Sequence, residues 1–134
     1  MGRVPLSKIQ NQIFMVKLKS ITVIDGDTIY AVNNNNIEKI RLLDIDCHET
    51  SYNPRAEYQS NIYNLHLEEI YKKGYDEKIY LEKLLDNNKN NIYLKRQGVD
   101  KYGRTLGILF INKKENINTI LLENNICPPY ISRT

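Results

Sequence analysis

Three short segments of this 134-residue chain hold residue types that could do chemistry. The first, Val23-Ile-Asp-Gly-Asp-Thr-Ile29, places Asp27 just after a tight turn. The second, Ile40-Arg-Leu-Leu-Asp-Ile-Asp-Cys-His-Glu-Thr50, places Arg41, Asp46 and Glu49 at a strand end and in the loop after it. Carboxylates gathered in this way suit a hard cation. Ca²⁺ takes oxygen ligands in irregular geometry, whereas Zn²⁺ favours thiolate or imidazole. Cys47 beside His48 looks like a zinc pair, but adjacent side chains in an extended loop point apart. The third segment is Asp100-Lys-Tyr-Gly-Arg-Thr-Leu106. Gly103 permits a turn and Arg104 opens a strand. Arg41 and Arg104 are two guanidinium forks, a geometry suited to phosphate oxygens.

Charge placement says more than the total. The formal net charge is +3, too small to prove a nucleic-acid partner and too ordinary to exclude one. Residues 1–20 carry Arg3, Lys8, Lys17 and Lys19 and no acid, a net of +4. Residues 25–50 carry six acids against Lys39 and Arg41, a net of −4. Residues 66–86 net −2 and residues 95–114 net +5. One account is solvated faces. The other is a cation site beside an anion-binding surface.

The elements that must position these residues are short. Residues 13–33 read as two strands, interrupted by Asp25-Gly26-Asp27. Asn33–Asn36 is a hairpin turn, because Asn tolerates the left-handed region. Ile37–Ile45 is a third strand, and residues 46–55 form a loop closed by Pro54. From Ala56 the period changes: Tyr58, Ile62, Leu65 and Glu69 lie on one face of an amphipathic helix ending near Gly74. A second helical piece carries Ile79, Leu81, Leu84 and Leu85. Ile92–Leu94 is a short strand, Gly98–Gly103 a turn and Leu106–Ile111 a fifth strand. Asn116 caps a last helix, which Cys127-Pro128-Pro129 stops. Three strands, a helix, two strands and a helix fit an α+β protein built on a five-stranded Greek-key barrel, the OB fold, with two to three packed helices. Length gives one domain, residues 1–134. No apolar run approaches the roughly 18 residues of a membrane span. Nothing at the amino end has the shape of a signal peptide, which favours an intracellular setting unless a leader has been removed. Two cysteines 80 residues apart are no disulfide scaffold; the sequence fixes no partner for either, and free thiols are one reading.

In combination, D-G-D-T, R-L-L-x-x-D-x-x-E-T and D-K-Y-G-R-x-L resemble the staphylococcal nuclease family over about residues 13–126. The resemblance implies the OB barrel and a Ca²⁺-dependent phosphodiesterase that acts on DNA or RNA, cuts endonucleolytically and leaves 3′-phosphate ends. A monomer with no membrane partner is expected. The resemblance also implies Asp27 and Asp46 as calcium ligands, with the Cys47 backbone carbonyl as a third. It makes Glu49 the general base, Arg41 and Arg104 the phosphate-binding arginines, and Lys101 and Tyr102 contacts for a terminal phosphate and base. Tyr52, Tyr102 and Tyr130 are candidates to stack on bases. Four departures stand out. His48 replaces the family's usual Pro and is expected to loosen the loop around Glu49. Asp44 adds charge near the metal. The helical region 71–91 is longer than usual. The chain ends soon after Pro128-Pro129, with Tyr130 and Ile131 expected to tuck against the barrel. The alternative is a non-catalytic nucleic-acid-binding or interaction module of the same fold, which needs the barrel but not the acids and arginines.

Overall fold

The computed structural model describes residues 14–131. Ile13, placed above in the first strand, and Arg3 and Lys8 of the first basic stretch lie outside the described residues. Seven strands and three helices follow in the order β1 (Met15–Lys17), β2 (Ser20–Asp25), β3 (Thr28–Asn33), β4 (Asn36–Leu42), α1 (Pro54–Tyr63), α2 (Leu67–Asn87), β5 (Ile92–Val99), β6 (Thr105–Ile111), β7 (Glu115–Asn116) and α3 (Ile117–Glu123). The strands form one mixed sheet in the order β1-β5-β6-β4-β3-β2, with β7 added to β6. The β4–β6 pair is parallel, and the other ladders are antiparallel.

The expected count of five strands is therefore corrected to seven. Leu18 and Lys19 split the first expected strand into β1 and β2, which sit at opposite ends of the sheet order. Two residues join those ends, so the sheet must curl almost onto itself. No ladder between β1 and β2 closes the ring among the described residues. Sixteen buried residues fill the interior, including Ile29, Ile40 and Leu42 from the first hairpin, Leu94 and Leu109 from the second, and Leu81 from α2.

Local chemistry sets the register. Asn34 and Asn35 both take positive φ, 48° and 67°, as a two-residue hairpin turn requires. That turn fixes the pairs Ile29↔Ile40 and Thr28↔Arg41. Ile40 then points into the core, and its neighbour Arg41 emerges on the other face beside the D-G-D-T turn.

The helical region differs from the expected division. The break falls at Asn64, whose φ of 53° ends α1 in the left-handed conformation, and His66 caps α2. Gly74 ends nothing; it lies inside α2. Its buried neighbours on that helix are Ile70, Glu77, Leu81 and Leu85, a spacing of one helical stripe. A Cβ at Gly74 would sit 2.6 Å from the carbonyl oxygens of both His48 and Glu49. The glycine is there because the 48–49 backbone packs directly on the helix. The last helix begins at its expected cap, Asn116, whose side chain accepts from the Thr119 amide. It ends at Glu123, before the Cys-Pro-Pro run. No helix among the described residues is long and apolar enough to cross a membrane.

Gly74→Ala should cost roughly 1–3 kcal/mol, the usual range for overpacking a filled site. The midpoint of denaturant unfolding reads it. A midpoint equal to that of the wild type would show that the loop gives way without strain.

Candidate active site

The two acidic segments meet through Asp27 and the backbone of the second. Asp27 Oδ2 accepts the Cys47 amide at 2.7 Å, and Oδ1 accepts the Thr28 hydroxyl at 3.1 Å. Asp27 and Asp46 are both nearly buried. Arg41 lies between them, with Nη1 3.3 Å from Asp27 Oδ2 and Nη2 3.6 Å from Asp46 Oδ1. Its Nη1 also donates to the Leu42 carbonyl at 2.7 Å. A second arginine, Arg55 of α1, bonds Asp46 through Nη2. Asp27, Arg41, Asp46, Glu49, Lys101, Tyr102 and Arg104 all line one cavity of about 830 Å³. Residues that the sequence scatters from position 27 to 104 are brought together there.

The loop carrying Glu49 is held at almost every residue. The Asp46 amide donates to the Pro128 carbonyl at 2.8 Å, and Ile45 pairs with Pro129. Cys47 forms a disulfide with Cys127, which settles the open question of their partners. Crosslinks over spans of this kind typically contribute roughly 2–5 kcal/mol in a small domain. The Glu49 amide donates to Gln59 Oε1 at 3.0 Å, and Gln59 Nε2 donates to the Cys47 carbonyl at 2.9 Å. Gln59 is fully buried; it serves one donor and one acceptor of the loop with its two amide atoms. The Cys47 carbonyl, a metal ligand by the family resemblance, accepts this hydrogen bond from Gln59.

His48 does not loosen this loop. Its backbone amide donates to Glu77 Oε1 at 2.7 Å, and its ring Nδ1 lies 2.6 Å from Glu77 Oε2. The imidazole also packs against Tyr63, with ring centroids 5.2 Å apart. A buried carboxylate does what ring rigidity would do in a proline. Asp44, expected to add charge near the metal, is an exposed turn residue with φ of 71° and is not among the residues lining the cavity. Asp25 supplies that extra charge instead, from the cavity wall.

Electrostatics follows from this crowding. Burial holds the Asp27 carboxyl well above its ordinary range; Arg41 opposes this, and Asp25 adds to it. Burial also raises Glu49, with the Asp25 charge next; a hydrogen bond with the Asn53 side chain opposes the rise. Asn53 also caps α1 by accepting the Ala56 amide at 2.7 Å. The helix start and the Glu49 carboxyl are therefore tied to one residue. In the turn before β6, Asp100 accepts the Tyr102 and Arg104 amides, both at 2.9 Å, and Arg104 Nε at 2.7 Å. The carboxylate closes the turn and aims the guanidinium.

Tyr102 is 73% exposed, with Lys101 Nζ 5.2 Å and Arg104 Cζ 5.7 Å from its ring centroid. Tyr130 also lines the cavity and is 53% exposed; Tyr52 is exposed away from that lining. The expected tucking of Tyr130 and Ile131 is half realised. The Tyr130 amide docks on the Asp44 carbonyl at 3.0 Å, while both side chains stay exposed.

Residues 39–131 match the family model of staphylococcal nuclease homologues. The chain belongs to that family. The matched span holds Arg41, Asp46, Glu49, Lys101, Tyr102 and Arg104, and Asp27 precedes it. Two relatives extend the likeness over most of the chain. An uncharacterized protein of Methanocaldococcus jannaschii, MJ1439, is 36% identical over 122 residues, 85% of this chain and 59% of that protein. The endonuclease YhcR of Bacillus subtilis is 30% identical over 110 residues, 81% of this chain and 8% of that protein. The chain thus spans little more than half of one relative and a small part of the other.

This nuclease-family site holds its central carboxylate at a cost. A carboxyl whose pKa is raised by folding favours the native state while protonated, and that advantage is lost as pH rises through the folded value. Asp27→Asn removes the charge and keeps an oxygen for the Cys47 amide. It should raise the melting temperature at neutral pH, with the gain shrinking as pH falls toward the ordinary carboxylate range. Melting curves between acid and neutral pH check this; a variant less stable than the wild type at pH 7 would refute it.

Proposed function

We propose that this protein is a Ca²⁺-dependent nuclease that hydrolyses phosphodiester bonds of DNA or RNA, acting endonucleolytically as a monomer and leaving 3′-phosphate ends. The observation that carries the reading is the shared cavity, which brings together two nearly buried carboxylates, a third carboxyl raised by burial, and the arginines Arg41 and Arg104. Family membership and the endonuclease relative support the reaction class.

The donor set suits a hard divalent cation. Asp27 and Asp46 offer carboxylate oxygens and no sulfur or imidazole faces them in the cavity lining, which matches the preference of Ca²⁺. Burial disfavours the charged form of Asp27 despite the neighbouring Arg41, and a bound cation would offset that cost. When bound there, calcium would neutralise a phosphate oxygen and lower the cost of forming hydroxide from water. The rest falls to the chain's own residues. Glu49, once ionised, accepts the proton of the attacking water. Arg41 and Arg104 donate to the equatorial phosphate oxygens, where negative charge grows. Arg104 also stabilises the departing 5′-oxygen. Lys101 and Tyr102 hold the neighbouring phosphate and base.

Cleavage of single-stranded DNA should require Ca²⁺ and stop with chelator. Glu49→Ala should lower kcat by about 10²–10⁴-fold, the range for lost proton-transfer assistance. Arg41→Ala should cost roughly 3–4 kcal/mol in the barrier, as for loss of a preorganised donor. The rate should climb as pH rises through the raised Glu49 value, because only the carboxylate accepts a proton. Full activity in chelator or in Glu49→Ala would sink the mechanism. Tight binding of DNA with no products, calcium present, would replace it with a binding module.

A further inference from the structure

Arg55 lines the cavity, and neither the motifs nor the mechanism above uses it. It occupies the first turn of α1, directly after Pro54. A cation there opposes the helix dipole, which favours acids at the amino end. Glu57, in the same turn, fits that rule. Asn53 already caps the helix through the Ala56 amide, so the helix does not need Arg55 to start.

The side chain has instead been turned inward. Its guanidinium lies 4.6 Å from the Tyr58 ring centroid and bonds Asp46 through Nη2. The Arg55 side chain is 24% exposed, and the residue lines the same cavity as Arg41 and Arg104. Asp46 thus carries two arginines on its two oxygens: Arg41 faces Oδ1 and Arg55 faces Oδ2. Arg41 also faces Asp27, whereas among the described residues Arg55 pairs with Asp46 alone. A divalent cation on Asp46 would therefore compete most directly with Arg55. A guanidinium displaced from a carboxylate in a cavity that admits a phosphodiester has an obvious second anion to take. Its planar fork matches phosphate oxygens as well as carboxylate oxygens.

We infer that Arg55 is a third phosphate-binding arginine, parked on Asp46 in the free protein and transferred to a backbone phosphate of the nucleic acid when Asp46 is taken by a cation or neutralised. The inference rests on the proposed nuclease reading for its ligand, a single-stranded polynucleotide. Its core claim is a coupling between Arg55 and Asp46, which is measurable without metal.

The test is a double-mutant cycle on Arg55→Gln and Asp46→Asn. Binding of a fluorescein-labelled single-stranded phosphorothioate DNA is followed by anisotropy in chelator. While Asp46 is charged, Arg55 is occupied, and Arg55→Gln should change affinity less than twofold. In the Asp46→Asn background Arg55 is free, and Arg55→Gln should weaken binding about five- to tenfold. The salt slope should fall by about 0.7 in that background alone, the value for one phosphate contact on a single strand. Arg55→Lys keeps the charge and the stem but loses the fork; it should weaken binding two- to threefold in the Asp46→Asn background, and it serves if Arg55→Gln unfolds. With calcium on wild-type Asp46, Arg55→Gln should show the larger effect. Equal effects in both backgrounds, or none in either, overturn the inference. A wild-type protein that neither binds calcium nor cuts DNA overturns the nuclease reading, while the metal-free cycle still decides the role of Arg55.

Discussion

Two carboxylates, Asp27 and Asp46, are held nearly buried within reach of one guanidinium. Placing like charges together away from water is unfavourable unless cations or hydrogen bonds compensate them. Much of the structure around the cavity can be read as that compensation. Arg41 reaches both acids because the Asn34–Asn35 turn sets the β3–β4 register and puts Arg41 opposite Thr28. A slip of one residue would send Arg41 into the core and Ile40 into solvent. The ion pair and the hydrophobic core therefore enforce the same register. The short local signal of a hairpin turn is carried in this way to the charge balance of the site.

The second acid is delivered by a loop with no regular structure of its own, so its backbone groups need partners from elsewhere. They come from three directions. Asp27 takes the Cys47 amide, Gln59 takes the Cys47 carbonyl and the Glu49 amide, and Glu77 takes the His48 amide. The disulfide to Cys127 and the Asp46–Pro128 hydrogen bond add the carboxy-terminal strap. The buried stripe of α2 shows what this demands. It runs through Ile70, Gly74, Glu77, Leu81 and Leu85, and only where it passes the loop does it change from large apolar residues to Gly and Glu. Gly74 lets the loop backbone approach, and Glu77 satisfies it.

The two acidic segments, the Arg104 turn and the Asn hairpin were legible because their information is local: a turn residue, an alternation, a charge beside a bend. What escaped lies in contacts between distant positions. The Cys47–Cys127 pairing spans 80 residues, and no spacing rule joins two lone cysteines. Gly74 read as a helix stop because composition cannot tell a stop from a close approach. The stop was Asn64, where an ordinary-looking Asn takes the left-handed conformation. Gln59 and Arg55 belong to none of the three motifs. For Arg55 a signal did exist, a cation in the first turn of a helix. For Glu77 the signal was a carboxylate on an apolar stripe. For His48 the anchoring partner is Glu77, 29 positions away.

The small net charge of the chain fits a site of this kind. Burying the acids that a divalent cation would take costs the free protein stability, and burial holds the Asp27 carboxyl well above its ordinary range. Arginines on those acids relieve the strain, but they also lower the negative potential that would draw a cation in. On the proposed reading, both conflicts are eased by the substrate. A phosphodiester brings anionic oxygens that the arginines can take as the cation takes the carboxylates. Cation and nucleic acid then assist one another, because each accepts the partners that the other displaces. Such coupling is reciprocal by necessity: whatever calcium adds to nucleic-acid affinity, nucleic acid adds to calcium affinity. A site with few protein ligands for its metal can work on those terms. The exchange depends on a loop that keeps its shape while its charges change partners, which is what the disulfide, Gln59 and the His48–Glu77 pair provide.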